Sequence, residues 1–244
     1  MMANKIGAWR FGKRQAMRVS VITSTCNRAR FIPRLIKMYL AQSYKPTEWV
    51  ILDDGDEKVG GLFSGVPGVR YIPLETKLAM GAKLNILKRE AQGDIVVVMD
   101  DDDYYPPERV SSVVEAFEKN SDILVAGSSK VYMYYTDTDT IYCTGPYSER
   151  HGLNCTLAWR RSYNGVYDDA EPCAVESGFL VGFTVPMVQI NTKKTLLHII
   201  HSSNTFNAIQ ARDKGTLGLM KKTCLTLENF IHDEGMREQF LGVY

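Results

Sequence analysis

The chain has 244 residues, with 29 basic against 28 acidic side chains, 45% apolar and 23% charged. That near-neutral balance excludes a global electrostatic footprint for DNA or RNA, and the length is enough to bury one substantial core. Five scattered cysteines (Cys26, Cys143, Cys155, Cys173 and Cys224) show no CxxC pairing, which argues against a zinc site and a disulfide framework.

Residues 1–16 are basic, with Lys5, Arg10, Lys13 and Arg14, and read as a poorly ordered leader ahead of a single domain over 17–244. Val19–Ser24 is a short β-branched run, the pattern of a buried strand. Phe31, Leu35, Ile36 and Leu40 recur at helical spacing and predict a helix that ends before Pro46. Trp49–Leu52 predicts a second buried strand, running into Asp53, Asp54, Gly55 and Asp56, and Val69–Ile72 a third. Met80–Ala91 is helical in pattern and stops at Gly93. Ile95–Met99 is the most hydrophobic strand, and Asp100, Asp101, Asp102 and Asp103 follow it. Glu108–Lys119 reads as a helix behind Pro106 and Pro107, and Ile123–Ala126 as a strand. Tyrosines and Trp159 then crowd the stretch from Tyr132 to Tyr167. Ala174–Phe183 predicts a helix, Leu196–Ile200 a strand and Leu219–Phe240 a helical tail.

Strands alternating with helices through residue 126 imply an α/β fold with a doubly wound, mostly parallel sheet, followed by an irregular half from residue 131. Ligands bind such sheets beyond the carboxyl ends of the strands, and both acidic clusters fall there. The longest mostly apolar stretch, Phe179–Ile190, is too short to span a bilayer, so no transmembrane segment is expected. Together with reduced thiols, this predicts a soluble, cytoplasmic protein.

Two like charges repel by about 1 kcal/mol at about 4 Å in water and by about 4 kcal/mol at an intermediate dielectric. Asp100–Asp103 therefore reads either as a site for Mg²⁺ or Mn²⁺, which take carboxylate oxygens, or as a solvated acidic turn. Asp53 and Asp54 either accept hydrogen bonds from a nucleobase or ribose, or form an ordinary Asp/Gly turn. Ser24, Thr25, Cys26, Asn27 and Arg28 close the first strand and can line a nucleotide pocket, while Asn27 or Thr25 can cap the next helix. Neither GxGxxG nor GxxxxGK[ST] occurs, which excludes a dinucleotide fingerprint and a P-loop.

In this order, VSVITSTCNR, ILDDGD, LAMGAKLN, the A-x-G-D at Ala91–Asp94 and the aspartate run resemble glycosyltransferase family 2 over roughly residues 17–130. The resemblance implies a GT-A fold and an inverting, metal-dependent transfer from a nucleotide diphosphate sugar, with UDP the commonest donor nucleotide. Residues 17–130 would be the nucleotide-sugar half and 131–244 the acceptor half, with a glycan or glycoprotein acceptor. Ser24, Thr25, Asp53, Lys83 and Asp101 are then expected at the nucleotide, with Asn27, Arg28 and Asp54 around it. Asp102, with Asp100, is expected to hold Mn²⁺ or Mg²⁺, and a one-residue ambiguity of register brings in Asp103.

CTLAWRR at Cys155–Arg161 and ESGFL at Glu176–Leu180 look like later family elements. They imply Glu176 as the catalytic base, with Asp168 and Asp169 as alternatives. His201, on a late polar loop, is a candidate to complete the metal or phosphate site, whereas His198 reads as structural. Trp159 either stacks on sugar rings or packs in the core, and Arg160 and Arg161 bind diphosphate, an acidic acceptor or surface carboxylates. The rival readings are a sugar-nucleotide nucleotidyltransferase, whose Gly-rich loop CNRAR lacks, and a non-catalytic binding module of the same fold.

Overall fold

The computed structural model describes residues 16–215 and 218–241, so the expected leader lies outside the described residues except at its last position. The first half contains β1 (Val19–Thr25), α1 (Ile32–Leu40), β2 (Glu48–Asp53), β3 (Val69–Pro73), α2 (Met80–Glu90), β4 (Ile95–Val98), α3 (Arg109–Lys119) and β5 (Val125–Gly127). In β1, β2 and β4 alternate side chains part to opposite faces, as the two-residue period of a strand requires. Val19, Val21, Trp49, Ile51, Ile95 and Val97 join Leu35 of α1 and Val113 and Phe117 of α3 in one cluster. Ile22, Val50, Leu52, Val96 and Val98 join Leu84 and Leu87 of α2 in the other. A sheet apolar on both faces needs helices on both, and each such side chain stabilises the fold by about 1.5–3 kcal/mol on burial.

The second half adds β6 (Val131–Tyr135), β7 (Thr140–Thr144), β8 (Ala158–Arg160), α4 (Glu176–Phe179), β9 (Met187–Gln189), β10 (His198–Ile200), α5 (Ala208–Asp213), β11 (Lys221–Lys222) and α6 (Glu234–Leu241). The main sheet has seven strands in the order β3-β2-β1-β4-β8-β5-β9, and a four-stranded sheet has the order β10-β6-β7-β11. In the main sheet β1 is parallel to β2 and β4, β2 to β3, and β5 to β9, whereas β8 is antiparallel to both its neighbours. Among the described residues no helix is long and apolar enough to cross a membrane.

Two expected elements differ. The helix expected over 174–183 is one short turn at Glu176–Phe179. Its flanks Ala174, Val181 and Phe183 adopt positive φ of 52°, 51° and 61°, which breaks helical geometry on both sides. The tail expected over 219–240 begins as a strand, Lys221 and Lys222 pairing with β7, passes through one 3-10 turn at Leu227–Asn229 and becomes α-helical only from Glu234. The start of the tyrosine-rich stretch, for which the sequence predicts no element, is a hairpin of β6 against β7 that turns through Asp139 at φ 47°.

Candidate active site

The strand order creates the site. The chain winds from β1 outward through β2 and β3, then returns to place β4 on the opposite side of β1. The order reverses between β1 and β4, and a crevice opens beyond their carboxyl ends. In-register pairing of Ile22 with Val98 brings the loops after both strands to one rim, and the Thr23 hydroxyl donates to Met99 O at 2.6 Å. A cavity of about 310 Å³ opens there, lined by Ser24, Arg28, Asp100, Asp101 and Asp102 and, from the second half, by Glu176, His198 and Asn204. Larger grooves of about 500 and 380 Å³, one beside α2 and one beside Tyr147, contain none of these residues.

The acidic run is held by cations and amides. Arg28 Nη1 donates to Asp101 Oδ1 at 2.7 Å and to Asp102 Oδ2 at 2.8 Å. His201 Nε2 and Asn204 Nδ2 also reach Asp102 Oδ2, at 3.2 and 3.1 Å. Burial alone would raise Asp102, but His201 and Arg28 outweigh it and hold the carboxyl well below the usual carboxylate range. Burial pushes Asp101 up against the pull of Arg28. Burial and the charges of Asp103, Asp102 and Asp101 push Asp100 up as well. Carboxylate oxygens on one cavity wall are the donor type a hard divalent cation takes, and its charge would offset the repulsion that raises Asp100. Asp103 turns away: its Oδ1 accepts from His198 Nδ1 at 2.7 Å and Ile199 N at 2.9 Å, pinning β10 beneath the rim.

The remaining expected residues divide. Ser24 lines the cavity, its hydroxyl 3.3 Å from Met80 Sδ, and Thr25 lies buried beside Asp101. Asp53 is fully buried, accepting from Gly55 N and Val59 N, both at 2.9 Å, and from the Tyr71 hydroxyl. It shapes its own loop, as an Asp/Gly turn does. Asp54 accepts from Leu78 N at 2.9 Å and Lys83 Nζ at 3.1 Å, so the Lys83 amine is paired inside the protein. The side chain of Asn27 caps no helix; its Oδ1 accepts from Asp56 N at 2.7 Å and Glu57 N at 3.1 Å, joining the loops after β1 and β2.

In the second half, Glu176 stands in the cavity wall, and burial raises its carboxyl pKa above the ordinary value. Asp169 lies instead beside α2, accepting from Asn85 Nδ2 at 2.7 Å, and Asp168 turns back to Ala170 N at 2.9 Å. Neither lines the cavity. Trp159 is a core residue, 0% exposed with its ring 4.8 Å from that of Phe179, so it offers no face to the cavity. Arg160 pairs opposite Ile95, at the amino end of β4, and its guanidinium donates to Ile123 O and Phe117 O at 3.1 and 2.7 Å. It therefore sits at the far end of the sheet from the acidic rim. Asn204, Arg34 and Tyr105 went unnoticed in the sequence. Arg34 Nη2 donates to Asp102 O at 3.1 Å, and Asp100 N donates to the Tyr105 hydroxyl at 2.7 Å. No spacing signal links these residues to the aspartates.

A doubly wound sheet carrying an acidic loop at its switch point, completed by a second half that walls the cavity, is a glycosyltransferase fold of the GT-A type. Residues 20–176, more than half of the chain, match the family described as glycosyl transferase family 2, and the chain belongs to that family. It is 31% identical over 113 residues to an uncharacterised glycosyltransferase of Nostoc sp., an alignment spanning 44% of this chain and 35% of that protein. The fold is similar to S. aureus TarS in complex with UDP-GlcNAc (TM-score 0.63, 16% identity, 78% of this chain and 60% of that one). It is also similar to the mannosyltransferase PcManGT of Pyrobaculum calidifontis in complex with GDP-Man and Mn²⁺ (TM-score 0.62, 14% identity, 82% of this chain and 61% of that one). The chain thus spans about a third of the Nostoc protein and about three fifths of the two solved chains.

Proposed function

We propose that the chain is an inverting glycosyltransferase that moves a sugar from a nucleotide diphosphate donor, a UDP-sugar, onto an acceptor hydroxyl of a glycan. One observation carries this reading: a single cavity joins Asp100, Asp101 and Asp102 of the nucleotide half to Glu176 of the second half. Asp100 and Asp102 are the residues assigned to hold Mn²⁺ or Mg²⁺, with His201 beside Asp102. When bound, such an ion offsets charge on the leaving diphosphate.

The chain's own groups do the rest. Glu176 takes the proton of the acceptor hydroxyl as its oxygen attacks the anomeric carbon, and its raised pKa strengthens it as a base. The bond to the diphosphate oxygen breaks on the opposite face, so one displacement inverts the centre. In this reading Arg28 pairs with phosphate oxygens through the same guanidinium that bridges Asp101 and Asp102. Met80, Met133 and Val175 add apolar surface to the cavity wall.

The test is calorimetry with UDP-, GDP- and dTDP-sugars, with and without Mn²⁺. One nucleotide class should bind only with the metal, lose binding in Asp102→Ala and keep it in Glu176→Gln. No binding by any donor would overturn the proposal.

A further inference from the structure

Beneath the acidic rim, three side chains from distant segments converge. Asp103 follows β4, Cys155 precedes β8 and His198 opens β10, and one donor atom from each lies within 4.8 Å of the other two. Asp103 is 0% and Cys155 6% exposed, and Cys155 is a free thiol. The second oxygen of Asp103, Oδ2, is buried with no hydrogen-bond partner among the described residues. A buried acceptor without a partner costs about 1–3 kcal/mol, which a cation bound beside Oδ2 would offset.

We propose that Asp103, Cys155 and His198 form a second metal site, selective for Zn²⁺ and distinct from the hard-cation site at Asp100 and Asp102. The donor set decides the metal. Thiolate, imidazole and carboxylate together suit zinc, whereas Mg²⁺ and Mn²⁺ favour oxygen ligands. Zinc–ligand distances of about 2.0–2.3 Å set tetrahedral donors roughly 3.3–3.8 Å apart, so side-chain rotation must open the 2.7 Å contact between Asp103 Oδ1 and His198 Nδ1 as the ion enters. Cys155 and His198 both line the cavity, which supplies an entry path.

Zinc binding requires Cys155 as its thiolate and releases the thiol proton. Cysteine spacing argues against a zinc site because it registers only ligands close in sequence. These three meet only through the packing of β4, β8 and β10.

The experiment uses the reduced, metal-free full chain, titrated with Co²⁺ as the spectroscopic probe and Zn²⁺ as competitor. A thiolate-to-cobalt charge-transfer band should saturate at one ion per chain, be bleached by Zn²⁺ and resist Mg²⁺. Cys155→Ser should abolish the band and weaken zinc binding by at least about tenfold, while Asp102→Ala keeps both. X-ray absorption of the zinc-loaded wild type, which needs no variant, should show one sulfur donor. No band in the wild type, an undiminished band in Cys155→Ser, or a zinc spectrum without sulfur would overturn the proposal. Mn²⁺-dependent nucleotide binding is measured separately, so failure here is distinct from failure of the transferase reading.

Discussion

The guanidinium of Arg28 lies 2.7 Å from the Asp101 carboxylate, so a cation from the loop after β1 holds the acidic loop after β4. The same nitrogen reaches Asp102, and the strand register that sets this distance also builds the crevice. Electrostatic repair of the aspartate run and construction of the site are therefore one event.

Arg28→Ala should expose that repair. Asp101 and Asp102 have side chains only 1% and 7% exposed, whereas Arg28 is 20% exposed, so the loss falls at the low end for a buried pair, about 3 kcal/mol. Thermal unfolding in EDTA should show a Tm lower by roughly 6–12 °C. Mn²⁺ should recover more stability in the variant than in the wild type. Equal response to Mn²⁺ in both would contradict competition between arginine and metal for the same oxygens.

Glu176→Gln should cut turnover by about 100-fold or more while donor affinity stays constant. The wild-type rate should rise with pH through a value above the ordinary glutamate range, since burial raises the carboxyl and the base acts ionised. Stability takes the opposite sign. A folded-state pKa raised above the unfolded one gives stability that is complete below the unfolded value and lost as pH rises through the folded value. Glu176→Gln should thus melt above the wild type at pH 8, and the gap should close near pH 4. A variant no more stable than wild type at pH 8 would contradict the burial.

The loop after β2 offers a paired glycine test. A Cβ on Gly55 would fall 2.5 Å from Asn27 N and 2.7 Å from its Oδ1, whereas one on Gly61 meets nothing within 4 Å. Gly55→Ala should separate the loops after β1 and β2, lowering both Tm and nucleotide affinity. Gly61→Ala should leave binding unchanged and stabilise by up to about 1 kcal/mol through the unfolded chain. Comparable losses in both variants would show that the Asn27 contact is not what closes this loop.

Trp159 separates core from acceptor site. Trp159→Ala should cost about 3–5 kcal/mol, read in denaturant unfolding. Trp159→Phe should fold and retain the wild-type KM for acceptor, because its ring packs on Phe179 inside the core. A raised KM in Trp159→Phe without loss of stability would restore the sugar-stacking role.

The first half was legible because its signals are local. A strand buried on both faces tends to be apolar or β-branched along its length, and the cores of Val19–Thr25 and Glu48–Asp53 and all of Ile95–Val98 show that run. The second half is harder to read. Strands of three residues, such as Ala158–Arg160 and Met187–Gln189, carry no period, and their pairing partners lie far away in the chain.

What the sequence determined by itself is the alternation of strands and helices and the placement of aspartates at strand ends, since both follow from local composition and periodicity. Only the tertiary structure decided where each aspartate lies. Asp100, Asp101 and Asp102 line the cavity, while Asp103 turns under it to His198. Asp53 closes on its own loop, Trp159 enters the core and Glu176 joins the acidic rim. Side-chain roles depend on which partners the sheet order brings within hydrogen-bond distance, and those partners come from segments that no local pattern connects.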